Sequence, residues 1–498
     1  MISRTRDPDK AANNAWLGTV LATALAVGAC TFNPPPRGAG GGGNSGAGRG
    51  GSGTGQGGAH PCVDLECRQS TCTRGNCMTH CPAGTRTTVS GTIYDPAGKI
   101  PLYNISVYVP NAPLTDIADG PSCDPCDSAT GTSLLSGSPI SITKTDVAGR
   151  FTLGMMGGDV PAGDGVPLVI QVGKWRRQVM LGAVAACQDN PLADADHNLR
   201  LPRNKAEGHI PKMALTTGSL DALECLLRKI GIDELEFTPE TADGRVNFYA
   251  GGGGTSSYDA RLNAGAPITA VHPWWDSLDN LRKYDIILHS CEGGQGDYRN
   301  GPPMSAKSMA ARQALQDFAD MGGRVFASHW HSYWFQSGPP AFQRIATWTI
   351  ANGLPNPNTA FIDAGRTALT QWMVNVMGSP ANMPGRVVLA QNASNTTVGA
   401  VAGGTISERW IYGNRNPDNP PVYLAANTPV PATNTDPGGT CGKVVVSDIH
   451  VSAGAGTTSD QPNRPFPTGC ITTDLSPQEK VLEFMLFDIA SCVQPIVP

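Results

Sequence analysis

The sequence predicts a multidomain protein in which an all-β sandwich precedes an α/β three-layer domain. Short apolar strands with a period of two, separated by turn residues, lie between positions 86 and 185 and predict the sandwich. Buried-type strands alternate with helices between positions 207 and 492, which is typical of a mainly parallel sheet covered on both faces. The composition agrees, because the 498 residues include 60 Gly and 41 Pro and only 15% are charged.

This composition also excludes several classes of protein. A coiled coil or a helical bundle would be rich in Ala, Glu, Lys and Leu. Disorder through charge repulsion needs a high net charge, whereas the net charge here is −5. Nucleic acid is not expected as a partner, because phosphate binding needs a basic face.

The first 29 residues have the pattern of a secretion signal. A basic start precedes the uncharged stretch 16–29, which has the length of a signal-peptide core and is too short to span a bilayer. The stretch ends in Val27-Gly28-Ala29-Cys30, which resembles a bacterial lipobox. The resemblance implies cleavage before Cys30 and a diacylglycerol on its thiol, and Thr31 in the next position favours the outer membrane. We therefore expect a lipid-anchored outer-membrane protein, with an ordinary signal peptide as the alternative.

A tether and a cysteine-rich segment follow. Residues 30–60 are dominated by Gly, since 13 of the 21 residues from 38 to 58 are Gly, and such a chain behaves as a flexible coil. Residues 61–85 are poor in apolar side chains, so disulfides would have to hold this segment together. We favour disulfides over zinc because an exported chain meets an oxidising compartment. The cysteines of this segment are Cys62, Cys67, Cys72, Cys77 and Cys81. Because their number is odd, one of them must bond elsewhere or stay free.

The other cysteines divide into structural and reactive candidates. Cys123 and Cys126 form a Cys-Asp-Pro-Cys loop, which we interpret as a local bridge or a loop staple. The remaining structural candidates are Cys187, Cys225, Cys441, Cys470 and Cys492. Setting Cys30 and Cys291 aside from the 14 cysteines leaves 12, an even number.

The predicted sandwich shows a clear order of strands and turns. Strand 89–93 is followed by a turn at 95–98, strand 105–109 comes next, and a turn at 145–150 leads into Phe151. A hairpin with Gly-Lys at its turn closes the pattern. These segments resemble the carboxypeptidase regulatory-like domain, a transthyretin-like sandwich. The resemblance implies an accessory or binding module without catalytic residues.

The α/β domain is predicted from strand and helix signals in turn. Its predicted strands span 210–215, 284–288, 324–327 and 443–446. Its predicted helices span 219–230, about 305–321, and a final segment that begins at a capping box of Ser476, Pro477 and Glu479. Gly322-Gly323 is typical of a helix C-terminus.

The passage from the 305–321 helix through Gly322-Gly323 to strand 324–327 and Ser328-His329 resembles the trehalose-utilisation (ThuA-like) branch of the class I glutamine amidotransferase-like fold. The resemblance extends over most of the α/β domain with long insertions. It implies a strand-to-helix elbow after Ala327, where amidotransferases carry a nucleophilic Cys. Ser328-His329 stands there instead, so glutaminase activity is not implied.

Polar side chains gather just after the predicted strand ends, where α/β folds place their sites. They are His289, Cys291, Glu292, His329, His331, Asp448 and His450. Imidazoles and carboxylates can bind a divalent metal such as zinc and activate water. The candidate metal ligands are His329, His331, Asp448 and His450. An alternative catalytic set consists of Cys291 as nucleophile, His329 as its base, and Glu292. The third interpretation is a non-catalytic pocket or buried structural histidines.

Tryptophans provide a second candidate site. Four of the nine lie in two short loops: Trp274, Trp275, Trp330 and Trp334. Flat rings beside polar residues suit stacking on a sugar, so we expect them to line a groove if they bind a ligand; the alternative is a Trp-rich core.

These observations predict an outer-membrane lipoprotein that binds an extracellular glycan or peptide through its α/β domain. Two alternatives remain open, namely a metal-dependent or Cys-dependent hydrolase and a structural protein of the cell envelope.

Overall fold

A ten-stranded mixed sheet and a smaller all-β part make up the fold. The computed structural model describes residues 81–126, 134–155, 158–193, 198–295, 306–354, 359–389, 395–435, 439–451 and 459–496. These residues all belong to one compact unit. The predicted signal, the tether and most of the cysteine-rich segment lie outside the described residues. None of the helices within the described segments combines the length and apolarity that a bilayer span needs.

The all-β part contains two sheets of short strands. Its strands are β1 Thr88–Thr92, β2 Ser106–Pro110, β3 Pro139–Lys144, β4 Arg150–Leu153, β5 Pro167–Val172, β6 Trp175–Met180 and β7 Asp189–Pro191. One sheet has the order β4-β1-β7 and the other β3-β2-β5-β6. Phe151 and Leu153 alternate with exposed neighbours along β4, which is the period of two expected of a half-buried strand. The strands β1 to β6 within 86–185 agree with the β content expected there, and β7 lies beyond position 185.

The α/β part contains the other strands and all the described α-helices. Its strands are β8 Met213–Thr216, β9 Phe237–Thr238, β10 Val246–Tyr249, β11 Ile286–His289, β12 Arg324–Ser328, β13 Ala346–Asn352, β14 Thr359–Ile362, β15 Arg386–Val388, β16 Asn395–Val401, β17 Glu408–Gly413, β18 Pro421–Thr428 and β19 Gly442–Ser447. Its helices are α1 Leu223–Lys229, α2 Val271–Trp274, α3 Leu278–Leu281, α4 Met309–Asp320, α5 Tyr333–Gln336, α6 Pro340–Gln343, α7 Thr367–Asn375 and α8 Pro477–Ala490. Strands β13 and β16 form a separate antiparallel pair.

Strand order in the large sheet is β15-β14-β17-β18-β19-β12-β11-β8-β10-β9. The six strands from β19 to β9 are parallel to one another, and β18, β17, β14 and β15 extend them in antiparallel orientation. The predicted parallel sheet is therefore present, with an antiparallel extension that the sequence did not predict. After β8 the chain forms β9 and β10 on one side of the sheet, and after β11 it forms β12 on the other side. The direction in which strands are added therefore changes between β8 and β11. Such a switch point opens a crevice at the carboxyl ends of the strands.

Helices cover both faces of the parallel strands. Leu288 of β11 and Phe326 of β12 face the same hydrophobic cluster as α1 and α8, whereas Ile287 and Val325 face a second cluster that contains α4. Adjacent residues of a strand point to opposite faces, so each strand contributes to both clusters. The predicted capping box begins α8, because Ser476 Oγ accepts from the Glu479 N–H and Glu479 accepts from the Ser476 N–H.

Helix α8 also joins the two parts of the molecule. Trp175 of β6 meets Phe487 edge to face at a centroid separation of 5.8 Å, and Tyr103 stacks on Phe484 at 6.1 Å. The hairpin turn at Gly173 fits against the end of this helix so closely that a Cβ atom there would lie 1.8 Å from the Ala490 carbonyl oxygen.

Four disulfides stabilise the described residues: Cys81–Cys187, Cys123–Cys441, Cys126–Cys492 and Cys225–Cys470. Cys81 thus bonds outside the cysteine-rich segment. The predicted local bridge at Cys123 and Cys126 is wrong, because the loop that carries them lies against the amino-terminal edge of the large sheet. A Cβ atom on Gly322 would touch the Ser122 backbone in this loop, and each cysteine reaches a distant partner.

Candidate functional site

The candidate site lies where β8, β11, β12 and β19 end side by side. His289 is the last residue of β11, Ser328 of β12 and Ser447 of β19. Because these strands are parallel neighbours, the loops that follow them meet at one edge of the sheet. The strand-end residues predicted from the sequence are buried there, with Glu292 the least enclosed.

Three of these side chains converge on one point. Cys291 Sγ lies 3.6 Å from His329 Nδ1, and His450 Nε2 lies 3.1 Å from the same nitrogen. All three donor atoms lie within 4.8 Å of one another. The exposed fraction is 0% for Cys291, 1% for His329 and 5% for His450, so the group is enclosed by protein. We call these three residues the Cys–His–His cluster.

His329 occupies the strand-to-helix elbow predicted after Ala327. Its φ angle is +44°, in the left-handed region that costs free energy for a residue with a side chain. An imidazole therefore stands at this elbow. The sulfur beside it comes from the neighbouring loop, after β11.

Hydrogen bonds define the tautomers of the two histidines in the cluster. His329 Nε2 lies 3.1 Å from the backbone oxygen of Asn395, which can only accept, so Nε2 carries the hydrogen. Nδ1 of His329 is then the acceptor nitrogen, and His450 Nε2 donates to it. A metal ion bound in place of this hydrogen could accept one lone pair from Nδ1 of His329 and one from Nε2 of His450.

Burial determines the charge of the cluster. It lowers the pKa of His329 to about 4 and the pKa of His450 to about 3, so both rings are neutral at pH 7. Burial also raises the pKa of the Cys291 thiol to about 12, against opposing hydrogen bonds from the Trp330 and Gly293 N–H groups. Without a metal, Cys291 is thus a thiol and a weak nucleophile.

The other two predicted metal ligands have different partners. His331 Nδ1 accepts from Trp334 Nε1 at 2.9 Å, and its Nε2 donates to the Ser290 carbonyl at 2.9 Å, so neither nitrogen is free. Asp448 accepts from the N–H and the hydroxyl of Thr397 at 2.8 and 2.7 Å. The predicted set of His329, His331, Asp448 and His450 is thus brought together only for His329 and His450, and Cys291 takes the place of the other two.

Glu292, the third predicted catalytic residue, belongs to a buried ion pair. Its Oε2 lies 2.8 Å from Lys307 Nζ, and its Oε1 accepts from the Gly252 N–H at 2.9 Å. Lys307 also lies over the Trp275 ring, 5.2 Å from its centroid. Sequence reasoning missed Lys307, because it follows no strand end and has no motif of its own.

Asp221 is a second residue that sequence reasoning missed. Its carboxylate accepts from the hydroxyl of Ser328 and from the Val451 N–H, and so connects the loops after β8, β12 and β19. Burial raises the pKa of this carboxyl to about 7. It lies five residues beyond the end of β8, inside the helix predicted for 219–230, so the strand-end rule did not select it.

The four tryptophans do not line one exposed groove. Trp274, Trp275 and Trp334 are buried, and only Trp330 is half-buried. Trp274 stacks on Tyr249 at 3.8 Å between centroids, and Trp334 stacks on His289 at 5.2 Å. These rings form part of the core beneath the site, so the aromatic basis for sugar stacking is reduced to Trp330.

Comparisons with known proteins show weak similarity only. No family model matches the sequence, and no curated protein matches it. Among solved structures, a ThuA-like protein from Bacteroides uniformis is 11% identical over 48% of this chain and 82% of its own, with a TM-score of 0.27. A type II cohesin–X-dockerin complex from Acetivibrio cellulolyticus is 15% identical over 32% of this chain and 79% of its own, with a TM-score of 0.15. The chain is thus similar, in part and weakly, to a ThuA-like protein.

Proposed function

We propose that this protein binds a transition-metal ion at the Cys–His–His cluster. The observation that carries the proposal is the convergence of Cys291 Sγ, His329 Nδ1 and His450 Nε2. Metal bonds of about 2.3 Å to sulfur and about 2.0–2.1 Å to nitrogen place tetrahedral ligands about 3.3–3.6 Å apart. The observed separations of 3.6 and 3.1 Å are close to these values.

The surroundings favour metal binding over hydrolysis. A hydrolase needs a carboxylate or an imidazole free to accept a proton near the metal. Asp448 is held by Thr397, Asp221 by Ser328 and Val451, and Glu292 by Lys307, so each nearby carboxylate already supports the fold. Two neutral imidazoles and a buried sulfur whose donor atoms lie within 4.8 Å of one another are suited to holding a metal ion instead.

Metal titration of the purified chain tests this proposal. We expect one equivalent of Co²⁺ or Zn²⁺ to bind after treatment with a chelator, and Co²⁺ to give a visible spectrum with thiolate charge transfer. Cys291→Ser, His329→Gln and His450→Gln should each weaken binding by more than the roughly 10–100-fold typical of outer-shell residues. His209→Gln is the matched control, because this histidine hydrogen-bonds to the Lys174 carbonyl in the all-β part. Equal binding by all four variants would refute the proposal.

We also propose that the chain is anchored to the outer membrane through a lipid on Cys30. The support is the Val27-Gly28-Ala29-Cys30 pattern, together with Thr31 after it. Mass spectrometry of the N-terminal peptide should show a diacylglyceryl Cys30, and Cys30→Ser should release the protein from membranes. An unmodified Cys30 in a processed or an unprocessed chain would exclude the anchor.

The two parts are proposed to be a carboxypeptidase regulatory-like sandwich and an amidotransferase-like domain. The support is the seven short strands in two sheets for the first, and the parallel strands with an elbow at His329 for the second. Glycan or peptide binding stays a prediction from the sequence. Measuring the affinity of soluble glycans for the wild-type chain and for Trp330→Ala tests the glycan part.

A further inference from the structure

We infer that the ion of the Cys–His–His cluster is copper, and that it changes between Cu(II) and Cu(I). This inference rests on the proposed metal-binding function and adds the identity of the metal and a redox role. It depends on four features of the cluster: the donor types, their number, the surroundings of the sulfur, and the rigidity of the ligands.

The donor types suit copper. One sulfur and two imidazole nitrogens are available, and no carboxylate oxygen joins them among the described residues. Hard cations such as Mg²⁺ and Ca²⁺ prefer oxygen, so they are excluded. Among first-row divalent ions, copper binds a given nitrogen and sulfur site most tightly.

The number of donors also favours copper. Structural zinc almost always takes four protein ligands, whereas trigonal copper sites use one Cys and two His with at most a weak axial ligand. Within the described segments, the carboxylates of Asp221 and Asp448 are not part of the cluster, and each accepts two hydrogen bonds from other groups. A three-ligand centre therefore matches copper better than structural zinc.

The sulfur of Cys291 lies beside the two imidazoles in an enclosed environment. Its Sγ atom is 3.6 Å from Nδ1 of His329. In copper sites the surroundings of the thiolate sulfur help to determine the reduction potential. The side chain is also fully buried, so water does not compete for the metal.

The ligands are held rigidly, which a redox centre needs. The Asn395 carbonyl fixes the ring of His329, whose backbone is already confined at a φ of +44°. Gln478 Nε2 donates to the His450 carbonyl at 2.6 Å and fixes its backbone. Ligands that stay in place for both oxidation states make electron transfer fast because little must move.

An electron path to the surface is present as well. The ring of the half-buried Trp330 lies 4.7 Å from the ring of His329, between centroids. In the redox step, Cu(II) accepts one electron from an external one-electron donor such as ascorbate and becomes Cu(I). No bond forms or breaks, no proton moves, and the thiolate and both imidazoles remain bound.

Copper titration of the full chain, depleted of metal, tests the inference. One equivalent of Cu(II) should produce an intense visible thiolate-to-copper band and a copper electron paramagnetic resonance signal. Ascorbate should bleach both, and ferricyanide should restore them to the same intensity. His331→Gln is the matched control and should keep the band, because His331 is buried beside the cluster but both its nitrogens are occupied. Cys291→Ser should abolish it.

The possible outcomes separate the two proposals. If Zn²⁺ and Co²⁺ bind through the cluster but Cu(II) gives no thiolate band, or only oxidises Cys291 irreversibly, the copper inference is overturned and metal binding stands. If no metal binds, both proposals fail. X-ray absorption at the copper edge of the unmutated protein keeps the test independent of variants that fail to fold. It must show one sulfur and two nitrogen scatterers.

Discussion

The Nε2 atom of His450 lies 3.1 Å from the Nδ1 atom of His329, although 121 residues separate them in the chain. Their approach follows from the pairing of β12 with β19, which places Ser328 opposite Ser447. The two histidines lie one and three residues beyond this pair. The Asn395 carbonyl then orients the ring of His329 so that its free nitrogen faces His450.

Replacing His331 should lower stability without changing metal stoichiometry. His331→Leu leaves the indole N–H of Trp334 and the carbonyl of Ser290 without partners, and each buried group of this kind costs about 1–3 kcal/mol. Chemical denaturation measures the first effect and metal analysis the second. His450→Leu, also buried, should instead lose the metal. A loss of metal from His331→Leu would show that His331 is a ligand after all.

The contributions of Lys307 and Glu292 to the free energy of unfolding should be strongly coupled. Lys307→Met leaves the buried carboxylate of Glu292 uncompensated, and breaking a buried pair in this way typically costs about 3–5 kcal/mol. The double variant Lys307→Met/Glu292→Gln removes both charges and should recover much of this loss. Urea denaturation of the single and double variants gives the coupling energy. Additive effects would mean that the pair contributes little.

The buried carboxyls of Asp95 and Glu483 should make stability fall as the pH rises. Burial raises the pKa of Asp95 to about 6, and burial with repulsion from Asp95 raises the pKa of Glu483 well above its ordinary value. A carboxyl whose pKa is raised in the folded state binds protons more tightly there, so its stabilising contribution is complete below about pH 4 and disappears as the pH passes through the folded pKa.

Glu483→Gln isolates this contribution, since the nearby Lys99 and Lys480 are present in both proteins. Between pH 4 and pH 7.5, the free energy of unfolding should fall by about 1–3 kcal/mol more in the parent than in the variant. Urea denaturation across this range measures the difference. Parallel profiles would show that the pKa of Glu483 is not raised in the folded protein.

The disulfide between Cys126 and Cys492 should stabilise the contact between the loop that carries Cys126 and the carboxyl-terminal end of α8. Cys126→Ser/Cys492→Ser should reduce the free energy of unfolding by about 2–4 kcal/mol, because the unfolded chain loses a long-range constraint. The Cys225→Ser/Cys470→Ser variant serves as the comparison, because this disulfide lies within the α/β part. Unchanged thermal and chemical stability would assign the cross-link no role in folding.

Much of the fold could be read from local patterns. Period-two strands predicted the all-β part, and Gly322-Gly323 and the Ser476 capping box marked helix boundaries that the structure confirms to within a few residues. The antiparallel extension of the large sheet was not predicted, because helix α7 lies between β14 and β15, and β16, which pairs with β13 instead, lies between β15 and β17. The partners of Cys123 and Cys126 were equally hidden, since pairing depends on which distant loops meet.

The candidate site shows the same division. The sequence alone determined which side chains follow strand ends, because local strand signals place His289, His329 and His450 there. Only the tertiary structure decided their roles, since a ligand is defined by the direction of its free lone pair. Trp334 donates a hydrogen bond to His331, and Thr397 donates one to Asp448, so these two side chains are already occupied. Burial removes three tryptophans from the surface. The pairing of β11 with β12 brings the sulfur of Cys291 beside two imidazoles.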